Sequence, residues 1–301
     1  MIKKASLWIS TMRLRTLPLS VSGIIVASCF AEYNGVFKWG IFALAMLTTL
    51  SLQILSNLAN DYGDGVKGTD NKDRIGPERA IQSGKISPEK MFNAIKINVL
   101  ICIVLAIMLI FVSFGVKHFL LTLLFFILGI ASVVAAIRYT VGDKAYGYRA
   151  LGDVFVFIFF GLVSVAGCYV LYAKTIDHVV FLPACVIGLL SAGVLNLNNM
   201  RDIKSDEKSN KITLAVKLGS KKIKRYHYFL VISALTLSLL FAILYYTSPY
   251  NFICFIAFVP ILLHLIKVSK NTEPKDLNPE LKKLALSTFL LAVLMGVGYI
   301  I

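Results

Sequence analysis

"WGIFALAMLTTLSLQILSNLANDYGD" (Trp39–Asp64) decides how the rest of the chain is read. From Trp39 to Asn57 it carries no charge, and a run of that length crosses the hydrocarbon of a bilayer as a helix. It then ends in amides and carboxylates: Asn57, Asn60, Asp61 and Asp64. These are spaced i, i+3, i+4, i+7, so a helix that continues past Asn57 presents all four on one face. Gly63, Gly65 and Gly68 follow and predict that the helix stops there.

Working outward, the same apolar character recurs along all 301 residues, 57% of them hydrophobic, with a mean hydropathy of +0.77. Soluble domains rarely reach that value. Nine spans are predicted: Leu17–Tyr33, Trp39–Asn57, Met91–Phe114, Phe119–Ile137, Leu151–Tyr172, Val179–Leu197, Tyr226–Thr247, Phe252–Val268 and Leu284–Ile301. The connections are too short for a separate soluble domain. The expected fold is an all-α, polytopic membrane bundle of about nine helices, one domain over residues 1–301. Lys3 and Lys4 before the first span mimic a signal peptide, but no small-x-small cleavage site follows, so it reads as an uncleaved helix. Five cysteines sit inside apolar runs as small hydrophobes, and four histidines lie scattered near span ends without metal-ligand spacing.

The net charge of +15 is a topological signal. With the N-terminus and every second loop placed on one side, that side holds 28 of the 31 Lys and Arg residues; only Lys38, Lys117 and Lys174 fall on the other, with Glu32 and Asp177 its only acids. The positive-inside rule makes the first side cytoplasmic. A charge so distributed argues against a nucleic-acid partner and for a lipid bilayer.

After the sixth span the design of Asn57–Asp64 returns as "NLNNMRDIKSDEKSNK" (Asn196–Lys211), with Asn198, Asp202 and Asp206 at i, i+4, i+8. Its place, four spans later at a cytoplasmic helix end, suggests a duplicated four-helix unit with a ninth helix appended. Two acidic clusters approaching in a low-dielectric mouth repel unless a cation joins them. Oxygen-only ligands suit Mg²⁺, which bridges carboxylates to phosphates. Lys67, Lys72, Arg74, Arg79, Arg201, Lys204 and Lys211 stand near enough in sequence to hold remaining phosphate charge. The physical reading is a cytoplasm-facing site for a diphosphate–metal complex opening into a lipid-like cavity.

At these residues the chain resembles the UbiA superfamily of membrane prenyltransferases. Asn60-Asp61-Tyr62-Gly63-Asp64 and Asp202-Ile203-Lys204-Ser205-Asp206 match its two acidic motifs. The resemblance extends over nearly all nine spans. It is nearest to the MenA branch, the 1,4-dihydroxy-2-naphthoate polyprenyltransferases, through Ser56–Ser87, "RLRTLPLSVSG" (Arg13–Gly23), "RYTVGDKAYGYRALGDVFVFIFFG" (Arg138–Gly161) and "NNMRDIKSDEKSNKITLAVKLG" (Asn198–Gly219). Many superfamily members carry a further Asp where this chain has Gly68. The next acid here is Asp70, a shift the branch shares.

The resemblance implies transfer of a polyprenyl group from its diphosphate to 1,4-dihydroxy-2-naphthoate in the bacterial cytoplasmic (inner) membrane. Diphosphate and CO₂ leave, and the product is demethylmenaquinone. It further implies that Asp61, Asp64, Asp202 and Asp206, helped by Asn57, Asn60 and Asn198, hold Mg²⁺ on the diphosphate. Arg79, Arg201 and Lys211 would clamp its oxygens, and Tyr139, Tyr146 and Tyr148 would face the allylic cation. Asp153 opens the fifth span near lipid depth, where an ionisable group is a functional candidate: a proton acceptor for the naphthoate, or the partner of a loop cation. Some of Phe155, Phe157, Phe159 and Phe160 would line the prenyl tunnel. Two alternatives stay open: another aromatic acceptor, such as 4-hydroxybenzoate or homogentisate, and an ion-coupled transporter. The transporter predicts acids at the bilayer midplane rather than at helix ends.

The charge bias predicts that single cysteines placed in Asn57–Ser87 or Asn199–Tyr226, in a Cys-free background, react with an impermeant maleimide only from the cytoplasmic side. Labelling from the outer side alone refutes the topology.

Overall fold

The computed structural model describes residues 2–71 and 74–301. Among these the chain is helical with no strand ladder. A short α1 (Ile2–Met12) leads through a bend of 54° into α2 (Leu17–Tyr33). Then come α3 (Trp39–Val66), α4 (Pro88–Phe114) and α5 (Phe119–Arg138). The fifth span is built from α6 (Gly152–Val156), a π-helical stretch Phe157–Gly167, and α7 (Cys168–Ala173). It is followed by α8 (Phe181–Lys208), α9 (Leu214–Leu244), α10 (Phe258–Lys270), which continues a 3₁₀ segment from Pro249, and α11 (Leu277–Ile300). Eight of these units are long and apolar enough to cross a membrane. α2, at 17 residues, makes a ninth when its bent pairing with α1 is included.

The helix boundaries follow local chemistry. α3 runs on past Asn57 and stops at Lys67, where Gly68 takes φ +71°, a conformation only glycine adopts without strain. α4 starts with Ser87 accepting from the Lys90 amide, Pro88 in the first turn and Glu89 beside it, three start signals at once. Lipid-facing surface is plain on α5, where Phe119, Leu120, Leu124 and Ile127 are all more than half exposed.

The bundle core centres on Phe30, Phe241 and Tyr299, which join α2, α9 and α11 with ring centroids 4.7–5.6 Å apart. One close backbone approach is between the π-helical stretch and α8. A Cβ at Gly161 would lie 2.5 Å from the Ala184 carbonyl oxygen and 2.8 Å from the Gly188 Cα. Phe157 fills the matching space over Gly188. Small residues let helices in lipid meet this closely, where hydrophobic burial alone gives no drive.

That contact generates a stability test. Gly161→Ala must push the π-helical stretch off α8, an overpacking that costs about 1–3 kcal/mol. The expected outcome is a lowered unfolding temperature in detergent, whereas Gly35→Ala, at a turn with open space around it, loses only what its φ of +68° imposes.

Candidate active site at the helix mouths

The last turns of α3 and α8, the bend between α1 and α2, and the loop after α3 meet at one end of the bundle. Asp61 and Asp64 are 2% and 1% exposed, and Asp202 and Asp206 are each 5% exposed. Buried carboxylates require partners, and for Asp61, Asp64 and Asp202 the partners are cations. Arg79, from the loop after α3, is the hub. Its Nη1 lies 3.0 Å from Asp64 Oδ2 and 3.1 Å from Asp70 Oδ2, its Nε is 3.6 Å from Asp61 Oδ1, and Nη1 also donates to the Asn60 carbonyl at 2.9 Å. Asp64 further accepts from Lys211 Nζ at 3.1 Å and from the Tyr148 hydroxyl at 2.8 Å. Burial alone would lower the Arg79 pKa. The carboxylates of Asp64, Asp70 and Asp61 outweigh it and hold the guanidinium above its ordinary value.

Gly63 in the first motif is a matter of space. A Cβ there would sit 2.6 Å from Thr140 Oγ1. Without one, Thr140 reaches α3 and donates to the Ala59 carbonyl at 3.0 Å and Asn60 Oδ1 at 3.3 Å. In the second motif, Arg201 grips its neighbour Asp202 through Nε at 2.9 Å and through Nη2. It also donates to Asn198 Oδ1 and Asn278 Oδ1, both at 2.8 Å. Asn57 secures the bend before α2 by donating to the Met12 carbonyl at 2.9 Å.

Two cavities lie side by side at this mouth. A polar one of about 420 Å³ is lined by Arg13, Asp61, Arg74, Arg79, Asn198 and Arg201, so residues of both motifs face it. An apolar one of about 290 Å³ extends from Asn60, Tyr139 and Tyr146 down to Ala45, Leu109 and Leu171. Consecutive residues Asn60 and Asp61 divide the two. Phe155, Phe159 and Phe160 line the apolar cavity, and Phe157 turns to α8 instead. Tyr146 stacks on Phe155 at 3.9 Å and stands edge-on to Tyr139 at 5.3 Å.

Several sequence-based expectations need correction. Tyr148 does not face the apolar cavity. Its hydroxyl is bound to Asp64 and Thr69, and its ring lies under the ammonium groups of Lys67 and Lys211, at 4.2 and 5.3 Å. Lys67 donates to the Gly142 carbonyl rather than to a carboxylate, and Lys204 is exposed. Lys72 lies outside the described residues. Among the described residues Asp153 has no cation partner: it is 4% exposed, neither carboxylate oxygen has a hydrogen-bond partner, and it lines neither cavity. Asp70 belongs to the Arg74 and Arg79 pairs, and burial raises its pKa. Arg13 was not anticipated at all. In the left-handed conformation at the bend (φ 51°), it donates to Asp61 from 48 residues away. Its sequence signals are membership of the basic start and its place at the head of the Arg13–Gly23 stretch, neither of which points to Asp61. Two of the scattered histidines also meet, His227 and His264.

The donor set suits a hard divalent cation, because every carboxylate and amide at the mouth offers oxygen. Among the described residues no three His, Cys, Asp or Glu side chains already converge on one point. Guanidinium and ammonium groups occupy Asp61, Asp64 and Asp202 instead. What the mouth offers is four buried carboxylates with Arg13, Arg79, Arg201 and Lys211 among them.

Comparison with known proteins agrees with this architecture. The UbiA prenyltransferase family model matches residues 20–297. The 1,4-dihydroxy-2-naphthoate octaprenyltransferase of Escherichia coli (strain K12) is 40% identical over 299 residues, covering 99% of this chain and 96% of that protein. The enzyme of the same name from Mycobacterium tuberculosis is 35% identical over 217 residues, 72% of this chain and 71% of its own. Among solved structures, a UbiA homolog from Archaeoglobus fulgidus bound to DMAPP and Mg²⁺ superposes with a TM-score of 0.65 at 12% identity, over 97% of this chain and 99% of that one. This chain is a member of the UbiA prenyltransferase family.

Proposed function

We propose that the protein transfers a polyprenyl group from polyprenyl diphosphate to 1,4-dihydroxy-2-naphthoate, releasing diphosphate and CO₂ and yielding the dihydroxy (quinol) form of demethylmenaquinone, in the bacterial cytoplasmic membrane with both motif loops on the cytoplasmic side. The names of the full-length relatives support the acceptor, and the charge bias supports the orientation. The observation that carries the reading is the division at Asn60 and Asp61. A polar, cation-rich cavity lies beside an apolar, aromatic one, with Asp61 lining the first and Asn60 the second, which matches a diphosphate head joined to a hydrocarbon tail.

Asp61, Asp64, Asp202 and Asp206, with Asn57, Asn60 and Asn198, are the residues that would hold Mg²⁺. When bound, the ion supplies neutralising charge to the diphosphate oxygens. This chain's own groups do the rest. Arg13, Arg79, Arg201 and Lys211 are placed to take the anionic oxygens, which lowers the cost of the charge that grows there as the C1–O bond breaks and its electron pair leaves with diphosphate. The apolar cavity holds the tail and keeps water from the allylic cation. Tyr139 and Tyr146 border the cavity next to Asn60 and offer ring faces to that cation. The naphthoate carbon bearing the carboxylate then forms the new C–C bond. Its carboxylate leaves as CO₂, the electron pair of that bond restoring the ring, so no net proton has to be removed. Asp153, unpaired and outside both cavities, has no assigned proton to accept in this balance. An ion-coupled transporter is disfavoured, because the acids gather at helix ends.

Asp61→Asn and Asp202→Asn are each expected to cost about 10²–10³ in turnover while folding is kept, from roughly 3–4 kcal/mol of lost transition-state stabilisation. The double variant should be little worse than the worse single, since the two carboxylates act on one unit. Asp177→Asn, in the loop after α7 at the far end of the span, should match wild type. Transfer rates at matched monodispersity decide it, and near-normal rates for both motif variants sink the reading.

Transfer is also expected to stop in excess chelator and return with Mg²⁺ or Mn²⁺, with Ca²⁺ a poor substitute because it prefers longer bonds and more ligands. Product mass after each addition is the readout, and full activity under chelation refutes the metal requirement.

A further inference from the structure

Glu280, His264 and His227 form a buried chain that the transfer site does not itself use. Glu280 stands in the first turn of α11 at 3% exposure, while His264 on α10 and His227 on α9 are fully buried. Glu280 Oε2 lies 2.7 Å from His264 Nδ1, and the two histidine Nε2 atoms are 3.0 Å apart. The geometry orders the protons. His264 Nδ1–H donates to the carboxylate, so in a neutral ring Nε2 is its acceptor, and His227 Nε2–H must be the donor to it. At the far end, His227 meets α8: a Cβ at Gly193 would lie 3.7 Å from His227 Cε1. The second oxygen of Glu280 faces Lys267 at 3.6 Å and Lys283 at 3.8 Å.

The chain therefore ties the first turn of α11 through α10 and α9 to the helix that carries the second acidic motif. That same first turn delivers Asn278, whose Oδ1 accepts from Arg201 Nη1 at 2.8 Å. Arg201 Nε and Nη2 are already committed to Asp202 and Asn198. Asn278 thus fixes the remaining arm of the guanidinium, at the wall of the polar cavity. The hydrogen bonds run from Glu280 to His227 and end there, His227 meeting α8 by packing with its Nδ1 unpartnered; a buried tie of this kind helps keep a binding group near its working place.

We propose that Glu280, His264 and His227 are positioning residues for the transfer reaction: they hold the first turn of α11 so that Asn278 orients Arg201 toward the diphosphate end of the donor. The proposal rests on the reading that Arg201 and Asp202 handle that end.

The test is steady-state kinetics of the purified full-length protein with an all-trans polyprenyl diphosphate, Mg²⁺ and 1,4-dihydroxy-2-naphthoate. Glu280→Ala removes the acceptor for His264 and should raise KM for the diphosphate substrate about tenfold while leaving KM for the naphthoate unchanged. Glu280→Gln keeps a carbonyl acceptor and should stay within about twofold of wild type. Asn278→Ala should reproduce Glu280→Ala, and the double variant should be no worse than either single, because both act through one guanidinium. A rise in both KM values together, or multiplying effects in the double variant, overturns the proposal. Should Glu280→Ala fail to fold, Asn278→Ala alone decides, since Asn278 is half-buried outside the core, and a wild-type KM there overturns it. Arg201→Ala with wild-type kinetics would instead retire the reading of the second motif.

Discussion

The fold's end with the two motifs depends on one guanidinium. Arg79 neutralises parts of Asp61, Asp64 and Asp70 at once and also satisfies the Asn60 carbonyl near the end of α3. Removing a single partner from such a buried set strands charge, which costs far more than an exposed ion pair contributes. The arrangement is therefore all-or-none. α3 can keep two carboxylates buried only while the following loop folds back to deliver Arg79, and that loop is held back partly by the same carboxylates. Asp64 extends the set to Lys211, just beyond α8, so the two motif helices are coupled through salt links rather than by direct packing.

This electrostatic design fits a site that must bind a multiply charged anion and then release it. Carboxylates paired to protein cations leave no cluster of unbalanced charge at the mouth. Under the proposed function, a diphosphate with its metal would exchange partners with both signs, and binding energy could then be directed to the bond-breaking step rather than to simple capture. Tyr148 belongs to this set of charges rather than to the apolar cavity. Its hydroxyl and its ring both address Asp64 and the ammonium groups around it.

Most of the architecture was legible in the sequence, because lipid leaves few choices: an apolar run of sufficient length must be a helix. The motif helices, the glycine stop after Asp64 and the placing of both acidic clusters at helix ends followed from spacing alone. What stayed illegible were contacts between positions far apart in the chain. Arg13 reaches Asp61, Asn278 reaches Arg201, and His227 meets His264 across 37 residues. Nothing in the local pattern of any of these residues announces its partner. The tyrosines show the same limit at closer range. Tyr139, Tyr146 and Tyr148 lie close together in sequence, yet a 3₁₀ turn at Tyr146–Tyr148 turns the last of them away from the apolar cavity and onto Asp64 and Thr69.

Helix length explains why two acidic clusters can exist in so apolar a chain. α3 and α8 each have 28 residues, which at 1.5 Å per residue is about 42 Å, against a hydrocarbon thickness of about 30 Å. The excess of about 12 Å corresponds to roughly eight residues standing in the interface rather than in hydrocarbon. In α3 the last eight are residues 59–66, which contain Asn60, Asp61 and Asp64; in α8 they are residues 201–208, which contain Arg201, Asp202 and Asp206. Both motifs thus occupy the surplus of an overlong helix. There, water and loop cations can offset the charge while the helix below remains apolar enough to wall a hydrocarbon cavity. A shorter helix would pull the carboxylates into lipid, and a loop in place of the surplus would lose the shared face that i, i+3, i+4, i+7 spacing provides. The chemistry sits at the one depth where a charged head and an apolar tail can both be solvated by the same protein.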